Sequence, residues 1–251
     1  MARMILLGVG TGVPDVDREN THMVWDGPGG PLLIDAGGST YQRLLRAGLN
    51  PQQLRGIFLT HSHADHINGV PILFFSIRLA GRQEPITIYG LEATLTLVQN
   101  VVEAFNLEKY TTPINWIPVA AGDTLPLEGG WTLRTALTEH SRPCLATRFE
   151  NRASGQALTY SADTAPCQAV TDLARGANAL IHEATTSEPF VGHTTPRQAG
   201  EVASIAGVGR LTLVHFSPHW TMPVDQALAE IRAGGFSGPA DVGQEYQVIE
   251  L

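Results

Sequence analysis

Gly56-Ile57-Phe58-Leu59-Thr60-His61-Ser62-His63-Ala64-Asp65-His66-Ile67-Asn68-Gly69-Val70 decides how the rest of the chain is read. The stretch opens on an apolar run, Gly56–Thr60, that predicts a buried strand. Three imidazoles and a carboxylate then fall within six residues. His61 and His63 are two apart, so in an extended segment both point to one side and Ser62 points away. That direction argues against Ser62 as a nucleophile. Asp65 and His66 lie past the turn, just before a helical pattern that begins at Val70. A solvated loop or a satisfied core histidine accounts for any one of these residues. At this chain's own His and Asp content, the four-ligand run arises by chance roughly once in a few thousand sequences.

A site for two metals needs more ligands than one loop supplies. Three further candidates follow or end predicted strands. His140 comes after Trp131–Leu137, Asp163 after Ala157–Ser161, and His215 at the end of Leu211–His215. With the first run they make five histidines and two aspartates. This nitrogen and oxygen donor set suits two divalent metal ions, zinc first, with manganese or iron as alternatives.

Outward from the site, short runs rich in β-formers recur between Gly, Pro and Asp. Further strands are expected at Met4–Val9, Met23–Asp26, Leu32–Asp35, Ile86–Tyr89, Trp116–Val119, Leu145–Glu150, Ala179–His182 and Tyr246–Glu250. Helices are expected at Thr40–Ala47, Val70–Leu79, Leu91–Phe105, Pro196–Ala206 and Val224–Ala233. Thr195 as N-cap, Pro196 at the first position and Gly207 beyond the end punctuate the fourth of these. The second half repeats the strand-and-helix order of the first. Two sheets with helices outside suit that pattern, and residues 1–251 read as one domain, with no linker and no tandem repeat.

The bulk numbers narrow the partners. A formal net charge of −8 repels phosphate backbones, so nucleic-acid binding would need a local basic patch. Cys144 and Cys167 make no disulfide framework. No apolar stretch approaches the roughly 20 residues needed to span a bilayer, so no membrane partner is expected. Met1 to Gly10 lacks the features of a signal peptide and reads as a first strand. A cytoplasmic protein is the expectation. Gly8-Val9-Gly10-Thr11-Gly12 lacks the full spacing of a dinucleotide-binding turn.

Several stretches together resemble the metallo-β-lactamase superfamily, and within it ribonuclease Z and its relatives. They are Leu32-Leu33-Ile34-Asp35-Ala36-Gly37, the histidine run with Ile67-Asn68-Gly69-Val70-Pro71, and His140-Ser141-Arg142-Pro143. Tyr160-Ser161-Ala162-Asp163-Thr164, His182-Glu183-Ala184-Thr185, His193-Thr194-Thr195 and His215-Phe216-Ser217-Pro218 follow. The first histidine run marks only the superfamily; the last three motifs are specific to the ribonuclease Z branch. The resemblance implies an α/β (α+β) fold, the four-layer αββα sandwich, with the metals between two sheets and the glycine-rich turn shaping the site floor. It implies that one metal takes His61, His63 and His140, and the other Asp65, His66 and His215. Asp163 would bridge them together with a hydroxide.

Two metals roughly 3.5–4 Å apart supply a nucleophile near neutral pH and stabilise charge on phosphoryl oxygens. Asp65 is a candidate to orient the attacking water. Glu183 and His193 match the family's proton-donor pair, because a carboxylate beside an imidazole orients it and raises its pKa. Arg148, at a position where the family carries an arginine, and Ser217, in the last motif, are candidate substrate contacts. An ion pair with a nearby acid is the competing reading for Arg148. His182 is expected to be a buried structural residue, and His22 and His219 surface residues, with His219 near the mouth of the site.

The resemblance also has gaps. Bacterial members usually carry a long arm that grips transfer RNA between the third histidine motif and the bridging aspartate. Here two predicted strands and the turn Asn151–Gly155 fill that interval. The family's Pro-x-Lys-x-Arg-Asn loop appears as Pro14-Asp15-Val16-Asp17-Arg18-Glu19-Asn20, without the lysine and one residue longer. His219-Trp220 replaces the closing Arg-Tyr. The reading favoured is a phosphodiesterase acting on a small-molecule or short nucleic-acid phosphodiester. The alternatives are true ribonuclease Z activity on transfer RNA, which these gaps disfavour, and hydrolysis of a sulfate ester, thioester or lactone. A binding or scaffold protein with a relic site stands against the presence of all seven ligands. The resemblance suggests a homodimer, with Val70–Leu79 or Leu91–Phe105 offering a face.

Overall fold

The computed structural model describes residues 2–107 and 112–251. Strands β1 (Arg3–Gly8), β2 (His22–Asp26), β3 (Leu32–Ile34), β4 (Gly56–Leu59), β5 (Ile86–Gly90) and β6 (Ile114–Pro118) form one sheet, closed at its edge by the C-terminal strand β14 (Val248–Glu250). The second sheet holds β7 (Thr124–Pro126), β8 (Trp131–Leu137), β9 (Leu145–Asn151), β10 (Gln156–Tyr160), β11 (Ala179–Glu183), β12 (Leu211–Val214) and β13 (Ala240–Val242). In each sheet an antiparallel portion adjoins a parallel one: β3 to β6 in the first, β10 to β13 in the second.

Helices α1 (Thr40–Arg46), α3 (Val70–Leu79) and α4 (Glu92–Ala104) cover the first sheet; α5 (Gln168–Ala174), α6 (Pro196–Ala206) and α7 (Val224–Ala233) lie with the second. A single short turn, α2 (Ala64–Ile67), carries Asp65 and His66. The period-2 alternation of β1 shows why there are four layers. Met4 and Leu6 join the core between the sheets, while Ile5 and Leu7 join the core beneath α1, α3 and α4. Trp25 fills the inter-sheet space, stacked on Phe149 at 4.5 Å and edge-on to Trp131 at 4.7 Å. Removing a buried ring of this size costs about 3–5 kcal/mol. The expected αββα sandwich is the observed fold.

The five expected helices are present, α1 one residue shorter at its C-terminus and α4 one residue shorter at each end. In α6, Thr195 and Gln198 form a reciprocal capping box and Gly207 is left-handed at φ 64°, as the punctuation predicts. Sequence reading missed α5 and the edge strands β7 and β13. The edge strands are three residues each, too short to show a period. The expected strands Leu32–Asp35, Ala157–Ser161 and Leu211–His215 each run one residue too far. Asp35 (φ 60°), Ala162 (φ 50°) and His215 (φ 66°) are left-handed, which takes the backbone out of the extended region. Tyr246 (φ 65°) likewise delays β14 to Val248. Between β9 and β10 only residues 152–155 intervene, so the interval from His140 to Asp163 contains a hairpin turn and no arm. Among the described residues, no helix is long and apolar enough to cross a membrane.

Candidate metal centre

The seven expected ligands converge where strands of both sheets end. β4 delivers His61, and α2 turns Asp65 and His66 back towards it. β8, β10 and β12 deliver His140, Asp163 and His215 from the opposite sheet. One donor atom from each of His61, His63, His140 and Asp163 lies within 4.8 Å of the others, and the same holds for Asp65, His66 and His215. Asp163 Oδ2 stands between the two groups, 3.3 Å from His215 Nε2, 3.5 Å from His66 Nε2, 3.8 Å from His61 Nε2 and 3.9 Å from His140 Nε2.

The hydrogen-bond pattern fits cations. His66 Nε2, His215 Nε2 and Asp163 Oδ1 are buried and have no hydrogen-bond partner. Leaving three such atoms unsatisfied costs several kcal/mol unless something else binds them. His61 Nε2 and His140 Nε2 both lie 3.0 Å from His63 Nδ1, a crowding of ring nitrogens that a shared electrophile relieves. The far nitrogens are held by partners that fix each tautomer. His66 Nδ1–H donates to Asp35 at 2.7 Å. Thr60 donates its hydroxyl to the same carboxylate at 2.8 Å and so accepts from His61 Nδ1–H at 3.0 Å. His140 Nδ1–H donates to the Gly192 carbonyl, and His215 Nδ1–H to the Thr185 hydroxyl at 2.8 Å. Asp35, Thr60, Thr185 and Gly192 are orienting partners to which sequence reasoning assigned no role. The signal was present for two of them: Asp35 is a carboxylate at the end of an apolar strand, and Thr185 closes a motif already singled out.

Glu183 is fully buried at the end of β11. Its carboxylate accepts from the backbone amides of Thr164, Thr185 and Thr194 and from the Thr185 hydroxyl. It also accepts from His193 Nδ1–H at 2.9 Å. Burial opposes charge on His193, but the hydrogen bond and charge of Glu183, with Asp163 and Asp65 beyond, raise its pKa above that of free imidazole. Asp65 and Asp163 are held below the usual carboxylate range. Burial works against this, and the surrounding histidines, His215 and His66 foremost, outweigh it.

A cavity of about 320 Å³ opens above the cluster, lined by Thr11, Gly12, Asp65, His193, His215 and Ser217 among others. Gly12 of the glycine-rich turn lies beside the Asp65 carboxylate, where even a Cβ would make only an ordinary contact at 3.4 Å. His219 also lines the cavity, at its exposed side.

Two expectations fail. Arg148 lies on β9, away from both the cavity and the cluster. Its guanidinium pairs with Glu150 at 2.8 Å and donates to the Leu173 and Arg175 carbonyls, so the ion-pair reading holds and the substrate-contact reading does not. His22 is not at the surface: it is 1% exposed at the start of β2, with Nδ1 on the Asn20 carbonyl. Burial, reinforced by the Arg43 and His66 charges, depresses its pKa to about 4. His182 is buried and bonded to the Glu183 carbonyl, as expected.

Residues 31–216 match the family described as the beta-lactamase superfamily domain. A ribonuclease Z from Methanosarcina mazei is 32% identical over 291 aligned positions, covering 92% of this chain and 93% of that protein. The metallo-beta-lactamase fold protein YhfI from Bacillus subtilis superimposes with a TM-score of 0.84 at 24% identity, covering 100% and 99% of the two chains. The short form of human tRNase Z does so with a TM-score of 0.80 at 23% identity, covering 100% and 99%.

Proposed function

This chain belongs to the beta-lactamase superfamily and, within it, to the ribonuclease Z family, and from that premise we propose a dinuclear metal-dependent phosphodiesterase that acts on a small or single-stranded substrate. The observation that carries the reading is the set of buried, unpartnered donor atoms facing one another across the two sheets. His61, His63 and His140 would hold one ion, Asp65, His66 and His215 the other, with Asp163 shared. Zinc is the ion the donors suit first. Bound there, two such ions would lower the pKa of a water and offset charge gathering on phosphoryl oxygens.

The chain's own residues supply the rest. Asp65, at the cavity wall, accepts a hydrogen bond from the attacking water and orients it. As the water oxygen bonds to phosphorus, the ester P–O bond on the opposite side breaks and its electron pair stays on the leaving oxygen. That oxygen takes the proton from His193 Nε2, while Glu183 holds Nδ1 and steadies the charged ring. The proton lost by the water passes to solvent, so the products are a phosphomonoester and an alcohol. Ser217 lines the cavity and in this reading donates its hydroxyl to a phosphoryl oxygen.

The four-residue turn between β9 and β10 favours a small substrate over folded transfer RNA. The alignment with the archaeal relative spans 291 positions against a chain of 251 residues, so that relative carries segments this chain lacks. Purified, metal-loaded protein should turn over bis-p-nitrophenyl phosphate and members of a cyclic-nucleotide panel. Inactivity on all of them would sink the reading. The 32% identity to a ribonuclease Z supports the second reading, tRNA 3′-end processing, with a partner subunit supplying the arm. Cleavage of precursor transfer RNA after the discriminator base would decide for it. The exposed side chains of Ile72, Leu79 and Phe105 on and beside α3 and α4 support a homodimer, which sedimentation would test.

A further inference from the structure

A second cavity, of about 670 Å³, shares His193 as a wall with the cavity over the cluster. Phe190 projects at its edge. The ring is 64% exposed, yet it stacks on His193 at 6.0 Å and 26° between planes. His193 in turn stacks on His215 at 5.7 Å and 18°. Three rings thus form a ladder from a candidate metal ligand out to solvent, ending in an aromatic face with nothing on it. Two hydrogen bonds tie the loop that carries Phe190. His193 N–H donates to the Phe190 carbonyl, and the Gly192 carbonyl receives His140 Nδ1–H. Glu139 also lines the cavity, and Pro166 and Pro189 give it apolar surface. None of its lining residues is an arginine or a lysine.

The direction of the chemistry says what belongs there. In an in-line displacement the leaving oxygen lies opposite the attacking water and next to the proton donor. Whatever is bonded to that oxygen therefore lies beside His193, whose ring also lines this second cavity. From this geometry we infer that the cavity is the leaving-group subsite, and that it takes a nucleoside carrying no further phosphate. The inference rests on the phosphodiesterase reading above. Its base stacks on Phe190, since a planar heterocycle matches an exposed aromatic face. The Glu139 carboxylate accepts N–H groups from the base edge, which favours a base with an exocyclic amine, such as adenine, over uracil. The absence of any lysine or arginine, together with the Glu139 charge, disfavours a second phosphate on the leaving nucleoside.

The test pairs binding with turnover in metal-loaded protein. Adenosine, uridine and ribose are titrated against the wild type, Phe190→Ala, Phe190→Trp and Glu139→Gln, and KM is measured for the dinucleoside monophosphate ApA. Adenosine should bind the wild type and ribose should not. Phe190→Ala should weaken adenosine binding and raise the KM for ApA, each about tenfold. Phe190→Trp should restore both, and Glu139→Gln should narrow the preference for adenosine over uridine. Adenosine binding that is absent, or unchanged by Phe190→Ala, overturns the inference. So does a change of oligomeric state in Phe190→Ala without loss of adenosine binding, which would make Phe190 part of a protein contact. If no phosphodiester is hydrolysed but adenosine binds in a Phe190-dependent way, the hydrolysis reading fails and the nucleoside site stands.

Discussion

Glu183 Oε1 and His193 Nδ1 lie 2.9 Å apart, and the carboxylate is fully buried while the imidazole lines two cavities. A buried charge with one face on a ring is a means of keeping that ring protonated. Glu183 stabilises the imidazolium, so His193 retains its proton to a higher pH than free imidazole and loses it as pH rises through its own raised pKa. Turnover of a diester with a poor leaving group should therefore fall on the alkaline side. Glu183→Gln should move that alkaline limb to lower pH and cost about 10²-fold in kcat. An unmoved limb in the variant would remove His193 from the role of proton donor.

In the proposed mechanism Asp65 serves one ion and the attacking water at once. Asp65→Ala is expected to lose most of the activity and one metal equivalent, read by steady-state kinetics and by elemental analysis of the same preparation. Full activity with both metals retained would refute the role of Asp65.

The unpartnered atoms of His66, His215 and Asp163 should leave the metal-free protein less stable than the loaded one. Saturating zinc at about 100 times its dissociation constant should add about 2.7 kcal/mol and raise the melting temperature. Asp163→Ala should remove most of this response, since the shared donor is lost. A chelated protein that melts at the same temperature as the loaded one would count against the site.

His22 is neutral in the folded protein until about pH 4, whereas in the unfolded chain it titrates near 6.5. Its folded pKa is depressed, so its contribution to stability is complete above pH 6.5 and is lost as pH falls from 6.5 towards 4. The stability gap between wild type and His22→Gln should narrow by up to about 3 kcal/mol across that window, measured by urea unfolding. A pH-independent gap would show that burial of His22 is not what couples it to acid.

Arg148→Ala should leave KM for phosphodiesters unchanged, because the side chain is spent on Glu150 and two backbone carbonyls. It should cost about 1–3 kcal/mol of stability through the acceptors left short. A raised KM would return Arg148 to the substrate.

Residue pattern was enough for the fold class and for naming seven candidate ligands, which the fold brings together. Alternating apolar residues specify which strand faces are buried, and a cluster of imidazoles in six residues is visible without coordinates. What it misjudged lies where local pattern and tertiary setting part. Leu32–Asp35, Ala157–Ser161 and Leu211–His215 all read as strands to the last residue, yet Asp35 and His215 bend left-handed and Ala162 does so just before Asp163. A left-handed residue costs conformational energy that periodicity does not report, and it persists only because surrounding contacts hold it. Those bends lie beside the candidate ligands or carry them. Tertiary structure alone decided that Asp163 stands among four histidines, that Arg148 faces Glu150, and that His22 is buried. Each depends on which side chains from distant strands share one volume, and a one-dimensional pattern holds no record of that.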